Sequence, residues 1–251
     1  MNMFMLAVDL GNTNIVLGLF RGKRLIKEWR SPVYKFRLPK IKEKITAIVV
    51  ASVVPPLNNK LKKTLRREYR VVPFFVTAEN IPGLKVLLKN KKEIGADRVV
   101  DALAAYRWYG GPVIVVDFGT ATTFDVISAR GEYLGGAIAP GIALARDALY
   151  EQTAKLPRIK ISAPKRLIGK NTVSAMQSGL VFGYVAMVEG MVARLKKASG
   201  LRPQASGLKV IATGGLARLI CKYTRVVDRI DTKLTLKGLN MIGEKIYGGR
   251  A

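Results

Sequence analysis

Asp9-Leu10-Gly11-Asn12-Thr13-Asn14 stands between two apolar runs, 5–10 and 15–20, and Asp117-Phe118-Gly119-Thr120-Ala121-Thr122-Thr123 stands between two more, 113–116 and 123–128. Apolar runs of this length closed by Gly, Asn and Thr read as strand, tight polar turn, strand. A charged glycine turn follows in each case. Arg21-Gly22-Lys23 precedes a third strand over 25–30, and Arg130-Gly131-Glu132 precedes one over 133–134. The same order of features is therefore written twice, about a hundred residues apart, and a duplicated domain is the economical reading.

Between the two copies, 45–52 reads as a buried-type strand, 57–69 as a helix with a basic outer face and 71–77 as another strand. Such alternation implies an α/β domain with a mixed sheet. Val99, Val100, Leu103 and Ala104 are spaced for an amphipathic helix over 96–109, stopped by Gly110-Gly111-Pro112. The domain boundary is placed there, giving domains 1–111 and 112–251. The second half continues with helices near 142–153 and 173–197, a loop over 200–207, a strand over 209–212 and a last helix near 238–247.

The chain has 251 residues, 49% of them hydrophobic, which is enough to bury a real core. A single cysteine, Cys221, excludes an internal disulfide, and the lack of histidine excludes a Cys/His zinc site and any histidine-based triad or general base. Acid–base chemistry then falls to carboxylates, lysine or tyrosine. The start, MNMFMLAVDL, does not have the form of a signal peptide. The longest apolar runs, such as 45–56, are too short or too interrupted to span a bilayer, so a cytoplasmic location without a membrane partner is expected. Lys and Arg number 43 against 17 Asp and Glu, a formal net charge of +26, concentrated in 21–44, 60–70 and 85–92. That excess attracts polyanions of every kind. Without an aromatic RNP motif or zinc finger beside it, specific nucleic-acid binding is not expected.

Asp9 ends a buried run and is followed by residues suited to close contact with phosphate: Gly11 for backbone approach, Asn12, Thr13 and Asn14 for donors. Its carboxylate can hold Mg²⁺ directly or through water. Taken alone the segment is equally an ordinary hairpin turn. The second loop repeats the logic with three hydroxyls, Thr120, Thr122 and Thr123, and two such loops, one per half, suit the two ends of a triphosphate. Thr213-Gly214-Gly215-Leu216-Ala217 follows a strand and opens a helix, a geometry that admits a nucleotide.

Together DLGNTN, DFGTATT and TGGLA resemble the phosphate 1, phosphate 2 and adenosine motifs of the superfamily of acetate and sugar kinases, heat-shock chaperone ATPases and actin. The motifs between them are similar to those of the type III pantothenate kinases: Gly95-Ala96-Asp97-Arg98, the run 135–142 (GGAIAPGI), 153–157 (TAKLP), 168–172 (IGKNT) and Gln177-Ser178-Gly179. The resemblance implies two duplicated ribonuclease H-like, actin-like ATPase domains, each a mixed five-stranded sheet with helices. It also implies transfer of the ATP γ-phosphate to pantothenate. By it, Asp97 is the catalytic base, while Gly95, Ala96, Asp97, Arg98 and Thr172 bind pantothenate. Asp9, Leu10, Gly11, Asn12, Thr13, Asn14, Ile15, Val16 and Thr120 bind ATP, with Mg²⁺ at Asp9. Asp117 holds a monovalent cation, K⁺ or NH₄⁺. The Thr172 segment would reach the pocket of a neighbouring subunit, which implies a homodimer.

One stretch departs from the pattern. Where the family has an aromatic, usually tyrosine, followed by an acid, Asn and Pro, this chain reads Leu88-Lys89-Asn90-Lys91-Lys92-Glu93-Ile94. The change bears on the pantothenate pocket and leaves the phosphoryl-transfer residues intact. Two other readings are a kinase acting on another small alcohol and a non-enzymatic transcription accessory factor. Retention of both Asp-x-Gly loops together with Asp97 speaks for an enzyme.

Overall fold

The computed structural model describes residues 4–199 and 207–248; residues 200–206 of the expected loop lie outside the described residues. Two compact units result: Met1–Arg107 together with Lys233–Ala251, and Trp108–Thr232.

In the first unit, β1 (Phe4–Leu10), β2 (Asn14–Arg21) and β3 (Arg24–Pro32) form an antiparallel meander, and β4 (Ile45–Ser52) and β5 (Phe74–Phe75) extend it as parallel strands, in the order β3-β2-β1-β4-β5. β1 and β4 are central and buried along nearly all their length, which is why both read as continuous apolar runs rather than alternating ones. The β4-to-β5 crossover is α1 (Pro55–Tyr69), opened by two prolines and buried through Leu61 and Leu65. The core of this layer holds Leu6, Val8, Leu17, Ile48, Val50 and Leu65. A short strand β6 (Lys85–Val86) and α2 (Ala96–Tyr109) follow.

In the second unit, β7 (Val113–Phe118), β8 (Ala121–Ile127) and β9 (Glu132–Pro140) form the same meander, with β10 (Lys209–Thr213) parallel to β7 and β11 (Arg229–Ile230) parallel to β10, so that the five strands of this unit run in the order β11-β10-β7-β8-β9 within a six-stranded sheet whose sixth member is β6. Read from the meander outward, this is the topology of the first sheet. The duplicated, mixed α/β architecture is therefore present in both units. α3 (Ile142–Glu151), α4 (Thr172–Ala198) and the short α5 (Ala217–Ile220) cover one face, whose core includes Val116, Phe124, Val181, Val188 and Val210.

The structure corrects four expectations. The last helix, α6 (Leu234–Tyr247), expected within 112–251, belongs to the first unit. It packs on β1 and β4, where a methyl group on Gly243 would fall 2.0 Å from Met5 Sδ. Asn240 Nδ2 donates to the Gly22 carbonyl at 3.1 Å, and Lys233 pairs with Glu28. The strand expected over 71–77 shrinks to two residues, Phe74 and Phe75, which pair with Val49 and Val50, and Val76 adds one more bond from its N–H to the Val50 carbonyl at 2.8 Å. The strand expected over 133–134 runs instead to Pro140, because pairing with β8 overrides the poor strand propensity of Gly135 and Gly136. Gly135, at φ +120, sits beside the register shift between Val126 and Ile127. Finally, α4 is long and apolar enough to cross a bilayer by length and composition alone, with an 18-residue window of mean hydropathy 1.3; it nonetheless puts Met176, Leu180, Val181, Val185, Val188 and Val192 into the core of the second unit.

Candidate active site

The first Asp-x-Gly loop is held by its own backbone: Gly11 N–H donates to Asn14 O at 3.0 Å, Val53 N–H to Leu10 O at 3.0 Å and Val33 N–H to Thr13 O at 3.1 Å. Those bonds leave Asn12 and Thr13 exposed at the tip. Asp9 pairs with Val16 on one side and Ala51 on the other, and Val16 pairs with Arg30. Cross-strand partners share a face of the sheet, so Arg30, Val16, Asp9 and Ala51 form one row. The Asp9 residue is partly open to solvent, yet dense protein around its carboxyl pushes the pKa from 3.8 up to about 7. Burial is the main cause; the negative charge of Asp97 adds to it and the Arg30 guanidinium opposes it.

Asp97 is thus brought into electrostatic reach of Asp9 within the same unit. It lies in the first turn of α2, where its Oδ1 accepts the Arg98 N–H at 2.8 Å. Gly95 leads into that helix, its carbonyl accepting from Val99 N–H at 3.4 Å. A methyl group on Gly95 would lie 2.5 Å from Asp97 Oδ1 and 3.2 Å from Val53 Cγ1, so glycine here lets the carboxylate fold back over the chain. The departing stretch is built around the residues that keep to the pattern: Asn90 Nδ2 donates to Glu93 Oε1 at 2.6 Å, and Asn90 Oδ1 accepts the Lys92 N–H at 3.2 Å. Leu88 is partly buried just before it.

In the second unit Asp117 is the penultimate residue of β7, paired with Thr123 on β8 and Thr213 on β10. Three backbones converge there. Gly214 takes a left-handed φ of +89, and a methyl group on it would lie 2.3 Å from Asp117 Oδ1 and 2.6 Å from Phe118 N, so the Thr213-Gly214-Gly215 turn can lie against Asp117 only as glycine. A methyl group on Gly141 would fall 2.0 Å from the Thr120 carbonyl oxygen. Thr120 itself is exposed at the loop tip. Thr172 is also exposed, at the start of α4, behind the cap in which Asn171 Oδ1 accepts the Ser174 N–H at 2.9 Å.

Two features escaped the sequence reading. Arg30 could have been found from the two hairpin registers, which place it in the Asp9 row. The buried set of Asp125, Tyr133 and Thr123 could not. Tyr133 Oη donates to Asp125 Oδ1 at 2.6 Å and Thr123 Oγ1 to Asp125 Oδ2 at 3.2 Å, tying the residue opposite Asp117 to a fixed carboxylate. Only the pairing of β8 with β9 reveals it. The residues fit a divalent cation: Asp9 and Asp97 are like charges in a site where ionising both is costly, and a cation relieves that. Among the described residues no group of three or more Asp, Glu, Cys or His could hold a metal, so such an ion would complete its shell with water and phosphate oxygens, as Mg²⁺ commonly does.

A family model for type III pantothenate kinases matches residues 5–194. The type III pantothenate kinase of Myxococcus xanthus (strain DK1622) is 45% identical over 253 residues, covering 95% of this chain and 97% of that protein. Among solved structures, a Campylobacter jejuni protein assigned to the Baf family of transcriptional activators superposes with a TM-score of 0.62 at 22% identity, covering 97% of this chain and 99% of that one. MreB 5 of Spiroplasma citri bound to AMPPNP gives 0.55 at 12% identity, covering 99% and 98%. Identities this low bear on the fold alone, and the fold they share is that of the actin-like ATPases and sugar kinases. The match over 5–194 and the 45% identity across nearly all of both chains settle the family: this chain belongs to the type III pantothenate kinases.

Proposed function

We propose that the protein transfers the γ-phosphate of ATP to the primary hydroxyl of pantothenate, forming 4′-phosphopantothenate and opening coenzyme A biosynthesis. The observation that carries this reading, within a chain of this family, is the approach of Asp97 to Asp9: one carboxylate at a phosphate-binding loop, a second at the start of a helix beside it. Phosphoryl transfer to an alcohol needs the hydroxyl placed in line and a base to take its proton, with positive charge around the phosphates. Asp97 serves as that base. Its Oδ1 is held by the Arg98 amide, which fixes the carboxylate, and the N-terminal end of α2 favours the anionic group arriving there. Gly95, Ala96, Arg98 and Thr172 bind pantothenate. The segment Asp9, Leu10, Gly11, Asn12, Thr13, Asn14, Ile15 and Val16 takes the ATP phosphates, and Thr120 also contacts ATP. Asp9 holds Mg²⁺, which when bound offsets charge on the phosphates, and Asp117 holds K⁺ or NH₄⁺.

The protein is proposed to act in the cytoplasm as a homodimer, with Thr172 serving the neighbouring subunit's pocket. Support for the dimer comes from α4, whose outward side presents Ala175, Gly179, Gly183, Ala186, Gly190 and Ala193 at helical spacing, all exposed. Methyl groups on Gly179, Gly183 or Gly190 would meet nothing within 4 Å. Small residues on an open helix face allow close approach of a second helix.

A coupled ADP-release assay with pantothenate and a panel of other small primary alcohols tests the activity. ADP release that depends on pantothenate is expected. Release with another alcohol and none with pantothenate would replace the substrate and retain the kinase.

A further inference from the structure

α2 and α6 run side by side in the first unit, held close by Gly238, where a methyl group would lie 2.7 Å from Val100 Cγ1 and 3.1 Å from Ala104 Cβ. Towards their C-terminal ends both helices contribute to a cavity of about 350 Å³ lined by Pro82, Leu103, Arg107, Met241, Ile242 and Lys245. Leu103 and Ile242 form its floor, 2% and 1% exposed. At its rim Gly83 has φ +88, and the point where a methyl group would stand lies 3.0 Å from Lys245 Nζ and 3.1 Å from Arg107 Nη2. The two cationic heads are therefore within about 6 Å of each other, close enough to repel. Among the described residues neither has an acidic partner. A helix C-terminus accounts for a cation on each of α2 and α6; it does not account for both heads converging on one glycine over an apolar hollow.

We propose that this is a second anion-binding site, built for a small phosphate monoester with an apolar body. The two positive charges, carried by the exposed side chains of Arg107 and Lys245, match a phosphate dianion, the missing side chain at Gly83 leaves room for its oxygens, and buried Leu103 and Ile242 receive the apolar part. The cavity is of the size that small-molecule sites have. The site is separate from phosphoryl transfer, since Arg107 lies ten residues beyond Asp97 on one helix, about 15 Å along its axis.

Phenyl phosphate is the probe, titrated calorimetrically into the full chain with Mg²⁺, a non-hydrolysable ATP analogue and pantothenate at saturation, so that the main site is filled. One equivalent is expected to bind, and Arg107→Gln with Lys245→Gln is expected to weaken it at least tenfold while melting temperature and kinase rate stay at the parental values. Lys60→Gln with Lys63→Gln on α1, which removes the same charge elsewhere, should leave binding unchanged. No binding to the parent, equal binding to the Arg107/Lys245 variant, or an equal loss in the α1 variant would each overturn the site, the last by showing a diffuse charge effect.

Discussion

At Asp9, a carboxyl that titrates at about 7 instead of 3.8 is a cost to the fold. Because the folded value lies above the unfolded one, no penalty exists below about pH 3.8. Stability falls as pH rises from there to about 7, and stays reduced above it. Asp9→Asn should therefore match the parent in urea melts at pH 4 without divalent ions and exceed it at pH 8, by up to about 4 kcal/mol, while losing Mg²⁺-ATP binding. A parent as stable as the variant at pH 8 would show that the carboxyl is not strained. Asp97→Asn should behave in the opposite sense. Its amide cannot accept the hydroxyl proton, so kcat should drop by about 10²- to 10⁴-fold, with stability changed by about 1 kcal/mol or less; a large fall in melting temperature would make Asp97 a structural helix-start residue. At Asp117, exchange of K⁺ or NH₄⁺ for Na⁺ should lower turnover strongly, and equal rates in the three salts would count against a bound monovalent ion. Asp9, Asp97 and Asp117 can be singled out in the sequence because each stands inside a motif. Asp125 cannot, because a lone Asp in a strand has no local mark, and Arg30 can be only through the two hairpin registers that set it in the Asp9 row.

Among the elements, α4 was legible as a helix from its apolar spacing, whereas the mutual capping bonds of Asn171 and Ser174 that start it are a finding of the structure. Its outward stripe of Gly and Ala was visible too, but a small-residue face reads alike whether it meets a second subunit or a core. If it meets a second subunit, Gly183→Arg should convert a dimer to a monomer in sedimentation, since the arginine fits a monomer surface and not a close helix contact. Pantothenate KM should rise with it, because Thr172 sits on the same helix. A variant that remains dimeric would place the contact elsewhere. β9 is longer than its sequence suggests because glycine signals turn in isolation, whereas here seven residues paired with β8 set the conformation.

For the molecule as a whole, the duplicated topology was legible because the same strand-turn-strand phrase recurs in order, while the destination of α6 was not. A helix with one apolar side states that it packs and not on which sheet. The charge of +26 acts at this scale as well. Lys60, Lys63 and Arg67 on α1 and Arg70 just after it, like Arg37, Lys40 and Lys44 before it, are exposed. Duplex DNA should bind at low salt without sequence preference and weaken by about 10³-fold or more between 50 and 200 mM salt if six or more phosphates are contacted. A sequence-specific footprint surviving the higher salt would favour a role in transcription. The return of α6 to the first sheet matters during synthesis. The strands β1 and β4 leave the ribosome early, but the helix that covers them begins only at Leu234, with residues 108–232 of the second unit made in between, a delay of roughly 6 to 25 s at ordinary elongation rates. Through that interval the nascent first unit carries an uncovered apolar face around Met5 and Val49, the surface to which a chaperone holding the growing chain would bind.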